Sequence, residues 1–64
     1  MKKTLIFLTS TAWEIGRWEN WEGEIPQNGD IIFDESFPKQ FLNCHVENRV
    51  FLANEPGVIK VFIW

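Results

Sequence analysis

The sequence predicts an all-β domain, either a small antiparallel barrel or a strongly bent sheet. Three observations carry that prediction. No window repeats apolar residues at i, i+3, i+4 and i+7 over helical length. Four segments rich in β-branched and aromatic residues are separated by Gly, Pro, Asn and Asp. The 64 residues hold six Phe and four Trp but one cysteine, so large aromatic rings must supply the stabilisation that no internal disulfide can give. A chain of this size forms one domain, residues 1–64. Such domains retain only ~3–5 kcal/mol of net stability unless a second copy adds more.

The first element is Thr4–Thr9, apolar and β-branched after the charged lead-in Lys2-Lys3. Its apolar core, Leu5 to Leu8, is shorter than the roughly 7–15 residues of a signal-peptide h-region, so it reads as a strand. No run approaches the ~18 apolar residues needed to span a membrane. Residues 13–25 follow, with three Trp-Glu pairs: Trp13-Glu14, Trp18-Glu19 and Trp21-Glu22. Trp18, Trp21 and Ile25 fall at helical spacing, but Gly16 and Gly23 weaken a helix, and the segment reads as a long, acidic, Trp-rich loop, extended or irregular. Asp30–Asp34 is a short apolar strand bounded by turn residues, Phe41–Ala53 alternates, and Val58–Trp64 is almost wholly apolar.

The C-terminal hairpin is the most specific expectation. Pro56 and Gly57 occupy the central positions of Glu55-Pro56-Gly57-Val58, as a type II turn requires. Centring the hairpin there pairs Leu52 with Val61, Val50 with Ile63 and Asn54 with Ile59 on an apolar inner face. The opposite face then pairs Phe51 with Phe62, Ala53 with Lys60 and Arg49 with Trp64, where Arg49 can stack on the indole. Upstream, Leu42, Cys44 and Val46 point inward, and Phe41, His45 and Glu47 outward. Asn48 breaks the pattern, through a bulge in one long strand or a Glu47-Asn48 turn between two; the bulge is the simpler reading. The strip Phe51, Phe62 and Trp64 is too apolar to stand in water, so either the tryptophan loop or another chain covers it.

The segment Pro26-Gln27-Asn28-Gly29-Asp30 ahead of Ile31-Ile32 resembles the strand entry of Src-homology-3-like small β-barrels. The resemblance spans about nine residues plus strand order and implies a fold, not an activity. The Ala-Leu-Tyr-Asp-Tyr signature is absent, as are any Tyr and a Trp-Trp pair, so no proline-peptide-binding residue carries over.

The chemistry of the sequence points to binding rather than catalysis. Cys44 and His45 are neighbours on a strand, so their side chains diverge and cannot share a proton. Neither metal-ligand spacing nor a phosphate-binding glycine loop occurs, so neither a metal nor another cofactor is expected. The lone thiol fits a cytoplasmic setting. Net charge is −3, distributed unevenly: residues 14–35 hold seven acids against Arg17, a local −6, and the rest of the chain is +3. Nucleic acid is therefore a poor partner for the chain, even though Arg49, Phe51, Lys60, Phe62 and Trp64 resemble a stacking platform.

The expected function is a non-enzymatic protein-binding module. Its candidate contact residues are Trp13, Glu14, Trp18, Glu19, Trp21 and Glu22 with Arg49, Phe51, Phe62 and Trp64, and its partner is a basic protein or a second copy of the chain. If the tryptophans cover their own sheet, the glutamates remain outside as the recognition surface. The alternative is a phage-type acidic inhibitor that mimics nucleic acid.

Overall fold

Alternation along the first and last strands sets the frame of the molecule. Leu5 and Phe7 are buried, as are Ile59, Val61 and Ile63, while the residues between them in the last strand are half-exposed. In the computed structural model, which describes residues 2–64, these strands lie side by side as β1 (Lys3–Leu8) and β5 (Val58–Ile63). Between them in sequence come β2 (Glu14–Trp21), β3 (Ile31–Phe33) and β4 (Asn43–Phe51), with a 3-10 turn at Lys39–Phe41. The spatial order is β2-β1-β5-β4-β3, a curled five-stranded sheet forming a half-barrel. Neighbouring strands are antiparallel except β1 and β5, which run parallel because the whole intervening chain serves as their crossover. The all-β small barrel or bent sheet is thus present, but the sheet is mixed rather than purely antiparallel.

The segment expected as a loop after the first strand is a strand. Residues 14–21 pair with β1, joined by a three-residue connection in which Ala12 N–H donates to Thr9 O at 2.8 Å and Thr9 N–H to Trp13 O at 2.9 Å. Ala12 sits at φ 67°, the left-handed residue that closes a three-residue hairpin. Replacing Ala12 by Gly removes a left-handed cost of roughly 1–2 kcal/mol and adds roughly 0.5–1 kcal/mol of unfolded-chain entropy. Ala12→Gly is expected to raise the urea midpoint modestly; a lower midpoint would show that the turn is not under strain.

Bulges determine which side chains face inward. In β2 the register shifts between Trp18 and Trp21, with Asn20 at φ 58°. Tryptophans three apart would face opposite sides of a regular strand; the extra residue turns both rings to the core side. In β4 the register shifts between Val46 and Asn48, so the expected bulge is present and residues 43–51 form one strand.

The expected hairpin register is overturned as well, by the turn that follows β4. Arg49 pairs with Val61, Val50 with Lys60 and Phe51 with Ile59, three residues away from the Pro56-Gly57-centred register. Two successive turns fill residues 52–57, Glu55 N–H donating to Leu52 O and Val58 N–H to Glu55 O. The predicted Glu55–Val58 turn exists, but Gly57 is not at positive φ, so it is not the type II turn expected. Because an inserted residue reverses side-chain parity, Arg49 and Phe51 move to the core side of the sheet and Val50 to the outer side.

The core consists of Leu5, Phe7, Ile15, Ile32, Phe37, Cys44, Val46, Ile59, Val61 and Ile63, against which Trp18, Trp21, Ile25 and Phe41 pack. Phe41, expected to face outward, is therefore half-buried. Across the sheet, inner-face neighbours form rows: Phe51-Ile59-Leu5-Trp18, then Arg49-Val61-Phe7-Gly16. The second row ends at Gly16 for a steric reason. A Cβ there would lie 2.7 Å from the Phe37 ring, so only glycine admits Phe37 between β2 and the rest of the barrel.

Candidate functional site

The three Trp-Glu pairs separate into scaffold and surface. The Trp18 ring lies 4.7 Å from Phe7 in an edge contact and 4.6 Å from Trp21. Its indole N–H donates to Asp34 Oδ2 at 2.6 Å. Since β2 and β3 are the two edges of the open sheet, this bond links one edge strand to the residue that ends the other. Phe37, 5.2 Å from Phe7, fills the same seam. The half-barrel is thus closed by side chains where no backbone ladder exists. Trp21 donates its indole N–H to Glu24 O at 3.0 Å, and its ring lies against Gly23, so it anchors the chain beyond β2. Trp13 is the exception, 56% exposed and in edge contact with Phe41.

Asp34 is the most committed carboxylate of the segment. Its Oδ1 accepts from the Ser36 hydroxyl at 2.7 Å and the Ser36 N–H at 2.8 Å, and its Oδ2 from Trp18. The Ser36 hydroxyl, then the Trp18 indole, hold its pKa below the ordinary carboxylate value, against partial burial that pushes it upward. A depressed native pKa means stability that is present above the unfolded-state value of ~3.9 and is lost as pH falls through the native one. Asp34→Asn is therefore expected to be less stable than the native protein at neutral pH, with the gap vanishing in acid. A gap independent of pH in urea melts would refute the linkage.

The remaining acids look outward. Glu14 and Arg17 form a bidentate pair at 2.8 and 2.9 Å, which lowers the Glu14 pKa chiefly through the Arg17 hydrogen bond. It is the one ion pair among the described residues. Glu19, Glu22, Glu24, Asp30 and Glu35 are exposed and hold no ion pair with any of the described residues. Of the expected contact residues, Glu14 is thus held by Arg17, Trp18 and Trp21 are structural, and Glu19 and Glu22 stand free.

The hairpin half of the expected surface is rearranged. Arg49 does not stack on Trp64; its guanidinium carbon lies 5.5 Å from the centre of the Phe51 ring. Trp64 instead stacks on His45, with 5.1 Å between ring centres and 20° between planes. His45 and Trp64 exchange backbone hydrogen bonds of 3.0 and 3.1 Å, and His45 pairs with Ile31 on its other side. Ile31, His45 and Trp64 thus form one outer-face row, with Ile31 64% and Trp64 67% exposed and Phe33 beside them 58% exposed. Phe62 is half-buried on that outer face, whereas Phe51 is exposed at the end of an inner row. The expected Phe51-Phe62-Trp64 strip does not form: Phe62 and Trp64 lie on the outer face, opposite the tryptophans of β2, whereas Phe51 shares the inner row of Trp18 and stands exposed at its far end.

Sequence reasoning missed Ile31 and Phe33 as surface residues and Phe37 and Asp34 as closure residues. The signal for the last two was local: Asp34-Glu35-Ser36 is an Asx-type turn that aims Phe37 at the barrel. Cys44 is buried, and burial raises its thiol pKa, whereas His45 lies on the outer face. No three His, Cys, Asp or Glu side chains converge as a metal-binding group among the described residues.

No family model, curated protein or solved structure matches this chain. No helix among the described residues is long and apolar enough to cross a membrane.

Proposed function

We propose that the chain is a small, non-enzymatic protein-binding module whose acidic side engages a basic partner. The supporting observation is the division of labour in the Trp-Glu segment. Trp18 and Trp21 are spent on the core and seam, while Glu19, Glu22, Glu24, Asp30 and Glu35 stand exposed without ion pairs to any of the described residues. Carboxylates on a rigid strand and its adjoining loop present a fixed negative surface, which speeds encounter with a positive one and selects against acidic competitors. Ile31, Phe33 and Trp64 add the apolar contact that charge alone does not provide. The likeness to Src-homology-3-like barrels, carried by Pro26, Gly29 and Asp30 at the entry to β3, supports the small-barrel reading; the parallel β1–β5 pair is its main departure.

The test compares proteins captured from a cytosolic extract by the native chain and by a Glu19→Gln, Glu22→Gln, Glu24→Gln variant. A stoichiometric basic partner retained by the native chain and lost by the variant, or eluted from the native chain by moderate salt, is the expected result. An identical set of captured proteins on both would sink the reading. Light scattering across concentration decides whether a second copy is the partner instead.

A further inference from the structure

We infer that β3 is a docking edge for an extended, lysine- or arginine-bearing segment of a partner protein, which adds to the sheet as a sixth strand. This rests on the protein-binding reading above and specifies its partner.

The backbone supplies the first argument. β3 pairs with β4 on one side and has no strand on the other. Val46 N–H donates to Asp30 O, whereas His45 exchanges its bonds with Trp64 on the far side of β4. Antiparallel pairing alternates, so Ile32 is the β3 residue whose backbone is spent on β4, opposite Cys44. The N–H and C=O groups of Ile31 and Phe33 consequently point to the free edge, where an incoming chain would find them.

The shape of the surface favours the same edge. A groove of about 480 Å³ lies at the start of β3, lined by residues 24–27 and 30–32. The 24–27 segment is held in place: Trp21 donates to the Glu24 carbonyl, and the Gln27 N–H donates to Asp30 Oδ2 at 2.8 Å. At the other end of β3 the Trp18–Asp34 bond closes the seam, so an added strand enters from the Ile31 end.

Charge selects the occupant. Glu24 and Asp30 line the groove, exposed Glu22 and Glu35 are near in sequence, and no cation is among the lining residues. A second copy pairing β3 to β3 about Ile32 would set Asp30 opposite Asp34 at both ends, and like charges directly opposite are destabilising. A basic extended segment has the reverse relation to the same carboxylates. With only three residues in β3, few backbone bonds form, so charge must supply much of the selectivity.

The experiment is a titration of the isotopically labelled full chain with a synthetic decapeptide alternating lysine and valine, followed through backbone amide exchange. Exchange at Ile31 and Phe33 is expected to slow by about tenfold or more, with little change at Ile32, which β4 already protects. A lysine-valine peptide N-methylated at every residue keeps its charge but has no N–H on either edge with which to form a ladder, and it should leave both amides unprotected. Ile31→Pro removes only an outward N–H, which an edge strand tolerates, and should abolish the protection. If the N-methylated peptide binds as well as its parent, strand addition is wrong while the acidic surface survives. If a glutamate-valine peptide binds as well as the lysine one, the acidic reading falls too. If Ile31 becomes protected with protein concentration alone, the occupant is a second copy and the proposal is overturned.

Discussion

Trp18→Ala is expected to destabilise the domain by about 3 kcal/mol, the lower end of the range for truncating a packed tryptophan, because the ring is only half-buried. A domain of this length holds only ~3–5 kcal/mol, so the variant should be largely unfolded near room temperature. The change removes the edge contact with Phe7, the contact with Trp21 and the bond to Asp34 that ties β2 to the end of β3. Trp18→Phe separates these contributions. It keeps an aromatic ring at Phe7 but loses the N–H donor, at a cost of about 1 kcal/mol for a hydrogen bond to a partly solvated carboxylate, together with the packing of the second indole ring. Urea melts followed by circular dichroism check both. A Trp18→Ala midpoint equal to the native one would mean that the seam does not hold the barrel and that the indole is free for recognition.

Phe7→Ala is expected to abolish folding. Phe7 is completely buried and lies between Trp18 at 4.7 Å and Phe37 at 5.2 Å. Truncating a buried phenylalanine costs ~3–5 kcal/mol through lost transfer free energy and the cavity left behind. That equals the whole stability of such a domain. Phe7→Leu should fold with a lowered midpoint, since leucine refills part of the volume. The expected readout is a collapsed one-dimensional proton spectrum for Phe7→Ala and a dispersed one for Phe7→Leu. A dispersed Phe7→Ala spectrum would show that β1 and β5 carry the fold without the aromatic seam.

Both predictions concern residues whose importance was unevenly legible in the sequence. The strands on which Phe7, Ile59, Val61 and Ile63 lie were legible, because a short run of β-branched and aromatic residues bounded by turn residues is a local property. The bulge near Asn48 was legible for the same reason: a polar residue stands where the inward alternation needs an apolar one. Its consequence was not. Shifting parity by one residue sends Arg49 and Phe51 to the other face, and the partner of each depends on how many residues the 52–57 turn consumes. Pro56 and Gly57 advertised a turn correctly but not its type, nor the second turn that precedes it.

The candidate surface shows the same division. That the glutamates of residues 14–24 are exposed follows from the cost of burying a carboxylate, so the acidic side was readable from composition. The exposure of Ile31 and Phe33 was not, since Asp-Ile-Ile-Phe-Asp is equally consistent with a buried central strand. Only the tertiary structure decides it, by setting Ile31 and Phe33 on the outer face of the curled sheet and Ile32 on its core side.

The Trp-Glu pairs mark the boundary between the two kinds of knowledge. By itself the sequence determined an all-β chain, four of its five strand segments, a lone buried thiol and a negative segment with one wet side. These follow from side-chain period, turn chemistry and the cost of desolvating charge, all short-range effects. Tertiary structure alone decided that residues 14–21 join the sheet, that a bulge at Asn20 turns Trp18 and Trp21 inward together, and that across the open edge Asp34 bonds Trp18 and Phe37 packs on Phe7 and Gly16. Those contacts join residues 16 to 30 positions apart in the chain, and which of several apolar partners a ring meets is settled by how the whole sheet curls.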